Sequence, residues 1–236
     1  MKIMIIRHGD PDYSIDSLTQ KGWYEAELLS KRLIKENIDH FYCSPLGRAK
    51  DTVKETLEKL GKEAEVLDWL QEFRGTIVSP YTNKKRISWD LPPSEWCFDE
   101  RYFDWKQWAE PDLMASSNVE AIFKETTDGV DALLKRYGWH REGMLYRGGE
   151  DVTIALICHF GLGITVMSYL LGISPVVAQQ NFFLAPTSVT TLVTETDKSG
   201  ASHFRATGVG DISHLYIAGE AASESGLYPN FDSYFC

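Results

Sequence analysis

Short apolar runs closed by charge or glycine alternate with segments of helical period over the first seventy residues. In KIMII, residues 2–6, four large apolar side chains follow one another. They end abruptly at Arg7, His8 and Gly9, with Pro11 just beyond, as a short buried strand does. Across residues 17–38, Leu18, Trp23, Ala26, Leu29, Leu33 and Ile34 recur near helical spacing, with Ser17 or Thr19 placed to cap the start. HFYC, 40–43, reads as a second strand. Ser44 and Pro45 then read as the cap and first turn of a helix carrying Leu46, Ala49, Val53, Leu57 and Leu60 and stopping at Gly61. AEVLDWL, 64–70, reads as a third strand.

Residues 73–115 break this rhythm. Tyr81, Trp89, Trp96, Phe98, Tyr102, Phe103, Trp105 and Trp108 sit among prolines and charges without a sustained period. Some forty such residues rarely fold alone, and a segment of this size in a compact domain is usually a lid or binding element, so we expect an insertion over the sheet edge. The alternation then resumes: a helix over 119–139, a strand over 151–159 ending in His159, a helix over 161–173, and two strands, 188–196 and 201–210, joined as a hairpin by DKSG. The tail, 219–236, is aromatic and glycine-rich and is expected to be tied down without regular structure. The order of elements predicts one domain over residues 1–236: a three-layer α/β/α sandwich with a mostly parallel central sheet and the aromatic insertion over the strands' C-terminal edge.

Composition narrows the function. With 43% apolar and 25% charged residues the chain is an ordinary globular protein rather than a disordered one. The net charge of -10 disfavours nucleic acid and anionic membrane as partners, and any anionic substrate must meet a locally positive pocket. Cys43, Cys97, Cys158 and Cys236 lie far apart without a metal-type pair, and no signal-like segment opens the chain, so a reduced, cytoplasmic protein is expected. The most apolar window, 152–173, is broken by Cys158, His159 and two glycines, short of the ~18 uninterrupted residues of a membrane span. No HxxxH, HExxH or dense acidic cluster suggests a metal, and no cofactor is expected.

Two segments look alike. IMIIRHG and ALICHFG each run an apolar strand into a histidine, with a glycine within two residues and a helix-forming stretch beyond. In open α/β sheets ligands bind beyond the carboxyl ends of the strands, so His8 and His159 would meet there if their strands are neighbours. Arg48, in the first turn of its helix, would bring a guanidinium and a helix amide end to the same place.

The set of motifs resembles the histidine phosphatase superfamily, which includes phosphoglycerate mutases and many broad phosphatases. RHG at 7–9, LTQKG at 18–22, SPLGRAKDT at 44–52, the glutamate of LQEFRG at 72 and CHFG at 158–161 fall in the family's order, from residue 3 to about 170. The resemblance implies that His8 is the nucleophile, that Arg7, Arg48 and His159 bind the phosphoryl group, and that Glu72 donates a proton. Its ligand is then a phosphorylated small molecule.

The chemistry agrees with these roles. A monoester dianion spreads charge over three equatorial oxygens, which planar guanidinium forks grip well. A histidine attacks phosphorus only when Nε2 carries a lone pair, so His8 must be neutral with its Nδ1 proton held by an acceptor, and surrounding cations favour that state. His159 is more useful protonated, donating to a phosphoryl oxygen. Glu72 leaves the third strand, but Glu63, Glu65, Glu95 and Glu100 are nearby alternatives for the acid. Two departures from the family stand out. Cys158 and Phe160 flank His159 where a small residue and a glycine are common, altering the pocket wall. No GxWEG continuation follows Glu72, which favours a phosphatase over a glycolytic mutase. The expected activity is metal-independent hydrolysis of phosphate monoesters through a phosphohistidine, with mutase-type transfer and a non-catalytic phospholigand-binding module as alternatives. Lys84, Lys85 and Arg86 are expected in a solvated loop, and His214 is given no role.

Overall fold

In the computed structural model, which describes residues 1–80 and 83–227, eight strands form one sheet. They are β1 (Lys2–Arg7), β2 (His40–Cys43), β3 (Ala64–Val66), β4 (His140–Glu142), β5 (Leu145–Arg147), β6 (Thr153–Cys158), β7 (Val189–Thr196) and β8 (Ala201–Asp211). Their order across the sheet is β3-β2-β6-β1-β7-β8-β5-β4. The first four are parallel to one another, and each later strand pairs antiparallel with its neighbour, so six of the eight point the same way. The helices are α1 (Gln20–Leu33), α2 (Gly47–Leu60), α3 (Val119–Arg136), α4 (Phe160–Leu171), α5 (Pro175–Asn181) and α6 (Ser213–Ala218), with single turns between.

The period of two along β1 sorts its side chains into two cores. Met4 and Ile6 face α1 and α2 through Leu29, Leu33, Ala49 and Val53, while Ile3 and Ile5 share a second core with Val130 and Leu134 of α3 and Leu162 and Ile164 of α4. Ala155 and Ile157 of β6 join the first core, and Ile154 and Leu156 the second. Strands buried on both faces read as unbroken apolar runs, which is why KIMII and TIALIC lack alternation. Each such buried Ile or Leu contributes about 1.5–3 kcal/mol. The three-layer sandwich is therefore the expected one.

The insertion joins the second core through Trp96, Tyr102 and Trp108, leaving Phe98 and Phe103 exposed. It contains a small hairpin, Thr76–Val78 with Lys85–Ile87, and Trp89 lies over the start of α4, at the C-terminal end of β6. Tyr81, Cys236 and the tail beyond 227 lie outside the described residues. No helix among the described residues is long and apolar enough to cross a membrane.

Several local expectations need correction. Of the two residues placed to cap α1, Thr19 does so, accepting from the Gly22 N–H at 3.0 Å, while Ser17 donates to Asp51. Ser44 does not cap α2, whose first amide, Gly47, donates to Asp16 Oδ2 at 2.7 Å. The third strand stops at Val66 because it is an edge strand with one partner, and residues 68–70 turn in a single 3-10 turn instead. Lys84 and Lys85 are exposed as expected, but Arg86 is buried with its side chain against Glu95. The hairpin of β4 and β5 and helix α6 were not anticipated, nor was α5, although Ser174 and Pro175 form the cap and first turn that start it.

Candidate active site

β1 and β6 are adjacent and parallel in register, Arg7 beside Cys158, so the residues that follow them emerge together. The His8 and His159 rings lie 5.1 Å apart between centroids, and both residues are almost fully buried. Two glycines let the backbone reach this place. A Cβ on Gly9 would stand 2.8 Å from the Gly22 carbonyl oxygen, and one on Gly22 would stand 2.2 Å from the Asp10 carbonyl oxygen. The RHG and LTQKG motifs are thus one packing unit, closed by Thr19 Oγ1 donating to Asp10 Oδ2 at 2.6 Å.

His8 is held in one tautomer. Its Nδ1 lies 2.7 Å from the Gly9 carbonyl oxygen, which can only accept, so Nδ1 carries the proton and Nε2 the lone pair. Burial, then the Arg7 guanidinium, and more weakly Arg48 push its pKa down to about 3, against the Gly9 bond, which raises it. The same factors, burial first and then His8, Arg48 and Arg7, hold His159 well below the usual histidine range. Protein groups alone therefore leave both rings neutral, and a proton on His159 needs an added negative charge beside it. His159 Nε2 is 2.7 Å from Ser44 Oγ, the hydroxyl freed from capping α2.

The guanidinium groups are fixed from behind. Arg7 donates through Nη1 to the Leu184 carbonyl at 2.6 Å and through Nη2 to the Ser225 carbonyl at 2.8 Å, and its plane lies near the rings of Phe160 and Phe183, 5.1 and 5.8 Å from their centroids. Arg48 Nη1 donates to Asp16 Oδ1 at 2.6 Å, with the Tyr13 ring 5.4 Å away. Asp16 takes the left-handed region at φ 48° and so spans both Arg48 and the α2 amide end. Arg7 Nε, Arg48 Nε and His159 Nδ1 are buried without a protein partner. Polar atoms left open in one neighbourhood in this way are free to meet an anionic ligand.

Glu72 Oε1 accepts from the Leu162 N–H at 3.0 Å and the Phe73 N–H at 2.8 Å, so it sits at the amide end of α4, the helix whose N-cap residue is His159. Burial pushes its carboxyl pKa up, opposed by those two amides and by Arg7 and Arg48. Glu63 and Glu100 are exposed, Glu65 pairs with Arg136, and Glu95 lies against Arg86.

The sequence profile of the histidine phosphatase superfamily (branch 1) matches residues 3–207. The chain belongs to that superfamily. A curated relative, "Probable phosphatase C1687.21" of Schizosaccharomyces pombe (strain 972 / ATCC 24843), is 36% identical over 67 residues, which is 25% of this chain and 32% of the relative, so the match spans about a third of that protein. Among solved structures, phosphoserine phosphatase from Entamoeba histolytica in complex with phosphoserine aligns at TM-score 0.59 and 22% identity, covering 91% of this chain and 98% of that one. Mycobacterial glucosyl-3-phosphoglycerate phosphatase with VO3 aligns at TM-score 0.55 and 19% identity, covering 88% and 97%. "Mycobacterial hydrolase 1" aligns at 0.61 and 18%, covering 89% and 98%. These likenesses establish the fold.

Within this histidine phosphatase chain the structure brings Arg7, His8, Arg48, Glu72 and His159 into one buried neighbourhood. Three supporting residues were missed in the sequence. Asp16 orients Arg48, Ser44 meets His159, and Thr52 accepts from the Gly9 N–H at 2.9 Å. Ser44 and Thr52 lie inside the quoted SPLGRAKDT motif, whereas nothing in the sequence around Asp16 marks it. His214 is buried, its Nε2 3.2 Å from Thr187 Oγ1, and the Thr187 N–H donates to the His8 carbonyl, so it buttresses the strand tip from outside. Cys43 and Cys158 are buried, and burial pushes the Cys43 thiol up to about 12, leaving no thiolate nucleophile there.

Proposed function

We propose that this chain, as one cytoplasmic domain, hydrolyses phosphate monoesters of small molecules through a phosphohistidine on His8. One observation carries the reading: a neutral imidazole with a carbonyl-held Nδ1 proton, packed against a second histidine and flanked by two anchored guanidinium groups. Such a ring is a nucleophile ready to attack, and the cations around it favour a dianionic group arriving at it.

In the first step His8 Nε2 forms a bond to phosphorus while the ester P–O bond breaks, and the leaving alkoxide takes a proton from Glu72. Burial keeps that carboxyl protonated to higher pH than an exposed one. Arg7 and Arg48 carry the charge spread over the equatorial oxygens. His159 gains its proton and donates only when the phosphoryl dianion offsets the neighbouring cations. Water then attacks the phosphohistidine, Glu72 accepts its proton, and inorganic phosphate leaves His8 neutral again. The phosphatase names of the curated relative and of two structural neighbours support hydrolysis over transfer.

Rapid mixing with p-nitrophenyl phosphate tests this. The expected result is a burst of nitrophenol and an acid-labile phosphoenzyme, both missing in His8→Ala. Undiminished turnover in that variant overturns the mechanism, and phosphoryl movement between two positions of a sugar acid without phosphate release points to a mutase instead.

A further inference from the structure

A cavity of about 440 Å³ lies behind the side chains that pack against Arg7. Its walls include Phe160 and Phe183, the two rings that lie against the Arg7 guanidinium, and Gly226, whose Cα face is near Arg7 Nη2. From the other side come Trp89 and Trp96 of the insertion and Phe182 of the segment after α5. Trp89 meets Phe160 edge-on at 6.1 Å, and Phe160 meets Phe183 at 5.7 Å. The residue after Phe160 must be bare for this to happen, because a Cβ on Gly161 would lie 2.4 Å from the Trp89 ring. The CHFG departure from the family pattern is therefore a built wall rather than a neutral drift.

The polar groups of the cavity are largely committed elsewhere. Gln179 bonds Thr165 Oγ1 and Ser88 Oγ, Gln180 bonds the Leu91 N–H and the Ser88 carbonyl, and Asn181 donates to the Val177 carbonyl. Among the described residues lining it, Asp90 is the one ionisable side chain, and it is an acid. A carboxylate on the substrate's alcohol would find no cation among the described residues lining the cavity.

We infer that this cavity is the leaving-group subsite and that it selects monoesters of aromatic or bulky apolar alcohols over short, hydrophilic or carboxylated ones. The inference rests on the phosphatase reading for the chemistry, but the subsite is a matter of binding. A flat ring lodged in the cavity beside Trp89, Phe160 and Phe183 replaces water against aromatic side chains, and ring pairs in offset or edge-on contact add to the area term. The neighbours crystallised with phosphoserine and 3-phosphoglyceric acid bind carboxylated alcohols, so this chain's preference is expected to differ from theirs.

The test compares 2-(2-naphthyl)ethyl phosphate with propyl phosphate, two primary alkyl esters of similar intrinsic reactivity, and adds 3-phosphoglycerate. The expected kcat/KM ratio of naphthylethyl to propyl ester is on the order of thirtyfold or more, carried mainly by KM, with 3-phosphoglycerate weakest. Trp89→Ala should cut that ratio about tenfold, and Phe182→Ala, at a residue 38% exposed whose truncation leaves the core intact, should cut it by a smaller factor. A ratio near one in the wild type, or one unmoved by both variants, overturns the subsite. Calorimetric titration of His8→Ala with the two alkyl esters separates the two readings. Tighter naphthylethyl binding without wild-type turnover sinks the phosphatase and keeps the subsite, whereas brisk turnover of both esters with equal affinity does the reverse.

Discussion

The two sides of the site are built differently. The cationic cradle comes from residues at the ends of adjacent parallel strands or in the first turn of a helix, and each is tied by short hydrogen bonds to backbone, to Ser44 or to Asp16. The aromatic wall comes from an aperiodic insertion, a helix start and a loop, and is held by ring packing and a bare glycine. Hydrogen bonds at strand ends fix direction and distance, so the cradle sets the chemistry. Ring packing tolerates exchange at similar volume, so the wall is where selectivity can change without loss of reaction. Variants of the cradle should slow all monoesters alike, and variants of the wall should reorder them.

Glu72→Gln puts the largest strain on that division. Loss of the proton donor should lower kcat for alkyl esters by about 10²- to 10⁴-fold and spare p-nitrophenyl phosphate, whose leaving group needs little protonation. The pH profile gives the sign independently. Raised by burial, the Glu72 carboxyl stays protonated beyond the ordinary carboxyl range, so turnover of alkyl esters should fall as pH rises through its folded pKa, and this limb should vanish in the variant. On the acid side, His8 keeps its lone pair until pH falls towards about 3, so no loss from its protonation is expected above that. An NMR titration of the free protein reads the ring directly: a His8 midpoint near 6.5, an unperturbed histidine value, would show that burial and the cations do not act on it as the geometry requires.

Arg48→Ala should cost about 10²- to 10³-fold in kcat/KM for every ester, the size associated with removing one oriented donor to developing charge. Asp16→Gly is the sharper experiment. It relieves the positive φ but removes the anchor of Arg48 and of the Gly47 amide, so a loss of roughly tenfold, uniform across esters, is expected if orientation rather than charge number is what Asp16 supplies. A change in the naphthylethyl-to-propyl ratio in either variant would mean that cradle and wall are not separable.

The same contrast explains what could be read in the sequence. The unbroken runs of β1 and β6 and the paired glycines announced strands buried on both faces with a histidine at each tip, because those constraints act over a few residues. Thr19 and Gly61 likewise marked the ends of α1 and α2 by local chemistry. The destination of Ser44 was misread for the opposite reason: a serine before Pro45 satisfies the local rule for a cap, and only the arrival of β6 115 residues later gives its hydroxyl to His159. Arg86 sat in a basic run that reads as solvated until the insertion folds back and presents Glu95. Tryptophans without a period told of burial but not of what they bury against.

Gly161→Ala acts on the wall through the backbone of the cradle's own helix. The added methyl at 2.4 Å from the Trp89 ring forces that ring or the helix start to move, an overpacking cost of about 1–3 kcal/mol, and the wall should lose discrimination at the same time. Gly61→Ala supplies the comparison that makes this interpretable. Gly61 ends α2 at φ 60°, and a Cβ added there would have no atom within 4 Å beyond its chain neighbours, so alanine meets left-handed strain alone, about 1 kcal/mol, with no new contact. Thermal unfolding should fall by roughly 2–4 °C while kcat/KM for both alkyl esters stays at the wild-type value, since neither the Arg48 turn nor Trp89 is touched. If the Gly61 variant also shifted the ester ratio, general loosening of the fold, and not the Trp89 contact, would account for the effect at Gly161.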